Sequence, residues 1–224
     1  MNIVQKPEIQ HHESIDMRTP SIHEEIKPVG DIRPLFKPGN PAAIGFASFA
    51  TGSLVIGLYC IGLLTNLPQV TVGVALGFTG ICQFTSGLLE LLIGNTYAAT
   101  TMMTYSGFFF SFGIMFSPAS GFLEIAMKEG EDALQTCVGL YMLGYTFVSF
   151  IFFLGTFRQP WLIRATLLQV FLAFLTSCLG NFLHNNGLVA ASGWISISLA
   201  LTAYYVMATL IYDDTTTFIK LPAF

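Results

Sequence analysis

The sequence predicts an all-α membrane protein built on six transmembrane helices. Two observations carry that prediction. Hydrophobic residues make up 53% of the 224 and charged residues only 10%, where a soluble domain carries about 25% charge. The apolar residues also form long unbroken runs rather than recurring at period 3.6, which is the mark of spans and not of amphipathic surface helices. The net charge of −4 constrains little, because most charge lies outside the runs. No basic run with interleaved aromatics points to nucleic acid.

A span needs about 20 residues of helix. The first is predicted over 42–64, opened by Asn40-Pro41, since Asn is a favoured N-cap and Pro a favoured first helical residue. Pro68 breaks the chain, and the second span covers 70–93. Gly94-Asn95 is a turn signal before the third, 97–116, which stops ahead of Pro118. A polar loop with Glu124, Lys128, Glu129, Glu131 and Asp132 follows. The fourth span covers 133–157 and ends at Arg158-Gln159-Pro160. The fifth covers 161–179 and stops at Gly180-Asn181. The sixth covers 188–212, and 214–224 form a short C-terminal tail.

Residues 1–37 are a different material, rich in charge and Pro and without an apolar run. A cleaved signal peptide needs such a run, so this segment reads as a disordered tail. His11, His12 and His23 read as solvated residues of that tail. Cys60, Cys82, Cys137 and Cys178 fall in four different apolar runs. Their spacing matches no zinc or redox pattern, and they read as packing residues. No metal, cofactor or catalytic site is predicted, because no nucleophile pattern or cofactor fingerprint appears.

The cations orient the spans. With the N-terminus inside, the inner segments carry Lys6, Arg18, Lys27, Arg33, Lys37, Arg158, Arg164 and Lys220, and the outer loops carry only Lys128. That imbalance puts both termini in the cytoplasm. Trp161 suits an interfacial anchor, and Arg164 can snorkel to the interface.

Helices in lipid associate through small residues and interhelical hydrogen bonds. Gly73 and Gly77 form a GxxxG, and Gly45 and Gly52 flank Ala47 and Ser48, so close packing is expected at both. The sharpest polar signal lies on the second span. Thr79, Gln83, Ser86 and Glu90 are spaced 4, 3 and 4 apart and fall within an arc of roughly 60°. An acidic residue inside a span is a functional candidate by default. The third span repeats the pattern with Tyr97, Thr101, Thr104 and Ser111, and Tyr105 stands beside them. Ser48 and Thr51 flank Phe49 on the first span, and Gln169 sits midway along the fifth. These groups either hold the bundle together or line a polar route through it. A route without mid-depth Arg or Lys would suit a small carboxylate bound weakly enough to leave. By physics alone it suits ammonia, water or a small neutral solute equally.

Spaced motifs sharpen this. Asn40-Pro41-Ala42-Ala43-Ile44-Gly45-Phe46 resembles the NPAPLGL signature that opens the first span of the acetate uptake transporter family, also called GPR1/FUN34/YaaH. Gln83-Phe84-Thr85-Ser86-Gly87-Leu88-Leu89-Glu90, Gly94-Asn95-Thr96-Tyr97 and Thr104-Tyr105-Ser106-Gly107 resemble the family's Q-x-x-A-G-x-x-E, G-N-T-F and S-Y-G series. Gly155-Thr156 and Gly180-Asn181 match later landmarks. The resemblance spans about 37–213. It implies six helices surrounding a central pore within each subunit of a homohexamer. It also implies passage of acetate and related short monocarboxylates, either coupled to protons or channel-like.

By the same resemblance Phe49, Tyr105 and Val170 form the constriction; on the polar-route reading, Asn40, Ser48, Thr51, Thr79, Gln83, Glu90, Thr101 and Thr104 bind substrate or line the pore. Ala43, Ser86 and Val170 depart from the family's Pro, Ala and Leu; a valine gate would admit lactate or propionate more readily. The long tail resembles fungal members and implies the plasma membrane. Ammonium or ammonia export is the alternative, and a non-transporting sensor or scaffold whose tail binds partners is a second.

Overall fold

The computed structural model describes residues 39–63 and 67–222. The predicted tail, with its histidines and with Lys6, Arg18, Lys27, Arg33 and Lys37, lies outside the described residues, as do Leu64 and the last two positions. Seven helices follow in order: α1 (Ala42–Cys60), α2 (Gln69–Leu92), α3 (Thr96–Phe116), α4 (Phe122–Glu129), α5 (Glu131–Leu154), α6 (Trp161–Phe182) and α7 (Asn186–Ile211). A π-helical turn over Ala75–Gly80 interrupts α2. All six helices other than α4 are long, and no strand occurs among the described residues.

The helix starts follow from their capping residues. Asn40 Oδ1 accepts from the Ala42 N–H at 3.0 Å. Asn95 Oδ1 accepts from the Ala98 N–H at 3.3 Å. Asn185 Oδ1 accepts from the N–H groups of Gly187 (2.9 Å) and Leu188 (3.2 Å). Each satisfies donors that the first turn leaves without intrahelical partners.

Two expectations about helix boundaries need correction. The stretch read as a polar loop contains α4. Glu124 in its first turn and Lys128 in its last complement the helix dipole and pair at 2.7 Å across one turn. Glu131 and Asp132 belong to the first turn of α5 instead. The second correction is the end of the fifth span. Gly180-Asn181 does not stop α6, which continues to Phe182. Gly180 is a contact residue: a Cβ there would lie 2.8 Å from the Val189 backbone nitrogen. The turn comes at His184, which takes a left-handed φ of 49° just before the Asn185 cap.

The short connections make successive long helices antiparallel. We call the end holding the starts of α1, α3 and α6 the proximal end and the other the distal end. In the ring of helices α1 packs on α2 and α7, α2 on α3, and α6 on both α5 and α7. The closest seams use small residues. A Cβ on Gly57 would lie 2.8 Å from the Gly193 carbonyl, and one on Gly193 would lie 2.8 Å from the Gly57 carbonyl. The α3–α5 side closes differently, through long side chains. Tyr97 donates to the Phe152 carbonyl at 2.6 Å, Tyr105 donates to Ser149 Oγ at 3.0 Å, and the hydroxyls of Ser111 and Tyr141 are 2.7 Å apart.

Gly45 and Gly52 pack as expected, against Ser86 and Met102 and against Thr79 and Phe109. Gly73 and Gly77 do not: they face outward with open space where a Cβ would stand. Five of the long helices are long and apolar enough to cross a membrane. The sixth, α3, has 21 residues, about 32 Å of helix, and is long enough to span about 30 Å of hydrocarbon. Its hydroxyl side chains dilute its apolar character, and burial inside the ring makes that tolerable. The outer surface exposes Leu92, Leu140, Phe147, Ile151, Trp194 and Leu201. A soluble monomer rarely shows so large an apolar surface, and the chain is a multi-pass membrane protein.

Candidate conduction pore

A cavity of about 270 Å³ opens between the helices, far above the 10–15 Å³ or so that one water needs. Its wall runs from mid-helix at Phe49, Tyr105, Val170 and Leu199 into the second halves of α1, α3 and α6 and the first halves of α5 and α7. It is therefore a vestibule of the distal half. One arc is polar, with Ser53 of α1, Ser177 and Asn181 of α6, and Ser192 and Ser196 of α7. The facing arc is aromatic, with Phe108, Phe109, Phe112 and Phe116 of α3 and Phe174 of α6. Glu131 is the charged residue of the wall.

Phe49, Tyr105 and Val170 lie deepest along the chain segments that form this wall, and all three are buried. The Phe49 and Tyr105 rings stack with centroids 5.7 Å apart, and Tyr105 stacks on Phe174 at 6.2 Å. The Tyr105 hydroxyl donates to Ser149 Oγ, which fixes the ring across the α3–α5 gap. All three residues named for a constriction thus lie on the cavity wall, two of them in direct ring contact.

The other candidates have different surroundings. Thr79 Oγ1 donates to the Ser48 carbonyl at 3.0 Å, and Ser86 Oγ donates to the Pro41 carbonyl at 2.8 Å. Glu90 is buried and accepts from Asn95 Nδ2 at 2.7 Å, inside the turn that joins α2 to α3. Gln83 Nε2 approaches Met102 Sδ at 3.9 Å, and its buried Oε1 has no partner. The stripe on α2 is real and wholly buried, but it faces α1 and α3 rather than the cavity. Ser48 donates to its own helix at Gly45, and Thr51 bonds both Ala47 and the Tyr204 hydroxyl. Thr101 donates to the Tyr97 carbonyl. Thr104 is half-buried on α3, and Asn40 is exposed at the start of α1. None of these eight lies on the cavity wall. Gln169 bonds Ser198 across the α6–α7 seam at 3.3 Å.

Sequence reasoning missed the polar arc and most of the aromatic one. Ser177/Asn181 and Ser192/Ser196 are both (i, i+4) pairs, so each shares a helix face, and Phe108, Phe112 and Phe116 repeat at the same spacing. Those faces were legible; that they meet across one space was not.

The chain is 29% identical over 175 residues to Ammonia transport outward protein 2 of Saccharomyces cerevisiae, covering 77% of this chain and 61% of that protein's length. It thus spans under two thirds of that relative. It is 25% identical over 171 residues to the Succinate-acetate/proton symporter SatP of Escherichia coli, covering 76% of this chain and 87% of SatP. The fold is similar to the solved structure of the bacterial acetate channel SatP, with a TM-score of 0.70 and 22% identity over 84% of this chain and 99% of that one. At that identity the likeness is one of fold. Residues 24–224 match the family model described as GPR1/FUN34/yaaH, so with a ring of membrane-crossing helices around an amphipathic vestibule this chain belongs to the GPR1/FUN34/yaaH family.

Proposed function

We propose that the chain passes acetate and related short monocarboxylates through a pore inside the subunit, with Phe49, Tyr105 and Val170 as its constriction. The observation that carries this is the two-sided vestibule ending on those residues. A carboxylate needs hydrogen-bond donors, which the Ser53 and Ser177 hydroxyls and the second Nδ2 proton of Asn181 supply, whereas Ser192 and Ser196 donate to carbonyls of α7 itself; a methyl group needs apolar contact, which the phenylalanines supply. No Lys or Arg stands on the wall, so binding is weak enough for release. Glu90, Thr79 and Ser86 act as braces that join α2 to its neighbours, and Asn40 acts as the cap of α1. The distal vestibule faces outward, both termini lie in the cytoplasm, the subunits assemble as a homohexamer, and the membrane is the plasma membrane. The cation distribution supports the orientation, and the family resemblance supports the assembly and location.

The test is acetate flux in proteoliposomes, with pH gradient and voltage varied independently. Flux that follows the pH gradient at zero voltage supports proton coupling; flux that follows voltage supports a channel. No acetate flux under either drive would overturn the reading and leave a sensor or scaffold. One observation favours ammonia instead: the charged residue on the wall is an acid, Glu131, which disfavours anions. Labelled methylammonium flux exceeding acetate flux in the same vesicles would decide for it.

A further inference from the structure

The connection from α5 to α6 and the helix start that follows it carry two arginines that nothing in the pore reading uses. Arg158 is exposed in it, and Arg164 lies in the first turn of α6. Arg164 Nη2 donates to the Phe157 carbonyl at 2.6 Å. Its guanidinium sits 5.6 Å from the Phe157 ring centre and 5.9 Å from the Trp161 ring centre, within cation–π range of both. The buried Nε–H has no hydrogen-bond partner, and an unsatisfied buried charged donor is costly. Among the described residues neither arginine has an acidic partner. The acids of the same end are engaged elsewhere: Glu90 with Asn95, Asp213 with Thr215, and Asp214 with Lys220.

The helix start adds to the deficit. Pro160 offers no side-chain cap, and the first turn of α6 holds no acidic residue, so its free N–H groups and dipole present further positive potential. Both arginines stand at the start of a helix long and apolar enough to cross a membrane, where the hydrocarbon gives way to headgroups. Around it Phe157 is 56% exposed and Trp161 62% exposed, with Leu154 and Phe150 exposed below on α5. Aromatic rings at that level mark the interface.

We propose that this cluster binds the phosphate of an anionic membrane phospholipid, with Arg158 and Arg164 as its cations and the Phe157–Trp161 surface against its acyl chains. Basic pockets between transmembrane helices take anionic headgroups in this way. The site is distinct from the vestibule, which lies in the other half of the bundle, so it stands whether or not acetate is the substrate.

The test is native mass spectrometry of the full-length chain, delipidated in detergent and given phosphatidylserine or phosphatidylcholine at equal concentration. Each arginine near a headgroup is worth about fivefold in binding. Wild type is expected to retain phosphatidylserine about twentyfold better than phosphatidylcholine. The Arg158→Gln/Arg164→Gln double variant is expected to bring it down to the phosphatidylcholine level, and Lys128→Gln at the distal end is expected to change nothing. Arg164→Lys keeps the charge but not the Nε donor and should fall between; it also serves if the double variant does not fold. Equal retention of the two lipids by wild type would overturn the proposal, as would undiminished retention in the folded arginine variants. Displacement of phosphatidylserine by millimolar inorganic phosphate would assign the site to a soluble anion instead.

Discussion

The proximal and distal halves of this bundle are made from the same helices yet do opposite things with their polar groups. In the proximal half, hydroxyls on α2 bond carbonyls on α1, and Glu90 closes the turn into α3. Small residues let the backbones approach until such bonds are short. In the distal half, the polar residues of α6 and α7 face a space, and the opposite wall is aromatic. Bulky rings on α3 and α5 hold those helices apart there, where Gly45 and Gly87 allow contact elsewhere. A polar stripe in a membrane helix is therefore no evidence of a pore until its neighbour is known.

The contrast predicts that proximal substitutions act on stability and distal ones on flux. The largest effect is expected from Gly45→Val. A Cβ there meets Ser86 Oγ at 2.6 Å and Met102 Sδ at 2.8 Å, and overpacking costs about 1–3 kcal/mol. Thermal unfolding in detergent should show a clear loss; an unchanged midpoint would break the contrast. Next comes Val170→Leu, which adds one methylene at the constriction. Pocket discrimination of that size is worth about 1–3 kcal/mol, so the lactate-to-acetate flux ratio should fall about tenfold or more. An unchanged ratio removes Val170 from the gate.

A smaller effect is expected from Glu90→Gln. The amide oxygen still accepts from Asn95, so flux and its pH profile should stay within about twofold while unfolding shifts by about 1 kcal/mol. A flattened pH profile would instead make Glu90 a proton carrier. The smallest effect lies outside the membrane, at Asp213. Hydrogen bonds from the Thr215 side chain, then from backbone N–H groups, hold its carboxyl below the usual value. A depressed folded-state pKa gives stability that is present above the unfolded pKa and lost as pH falls through the folded one. Amide exchange over 213–217 should therefore speed up in that acid window, and Asp213→Ala should show fast exchange at every pH.

Much of the fold was legible, because lipid leaves few choices. An apolar run of 20 residues must form a helix to satisfy its backbone, and Pro41, Pro68, Pro118 and Pro160 bound those runs. The aromatic and valine residues of the constriction were legible only through the resemblance. Gly180 misled, since glycine both ends helices and permits contact, and only the position of Val189 separates the two roles. The helix of 122–129 was missed because it is eight residues long and its charged residues interrupt the apolar ones, leaving no unbroken apolar run.

By itself the sequence determined that the chain crosses a membrane repeatedly, about where its long helices begin, and that α2 carries one polar face. Each follows from local composition, capping and helical period. Only the tertiary structure decided what that face touches, that Ser177, Asn181, Ser192 and Ser196 share a wall with α3's phenylalanines, and that Gly73 and Gly77 look outward. Those are relations between helices far apart in the chain, set by which side chains let two backbones meet and which hold them apart.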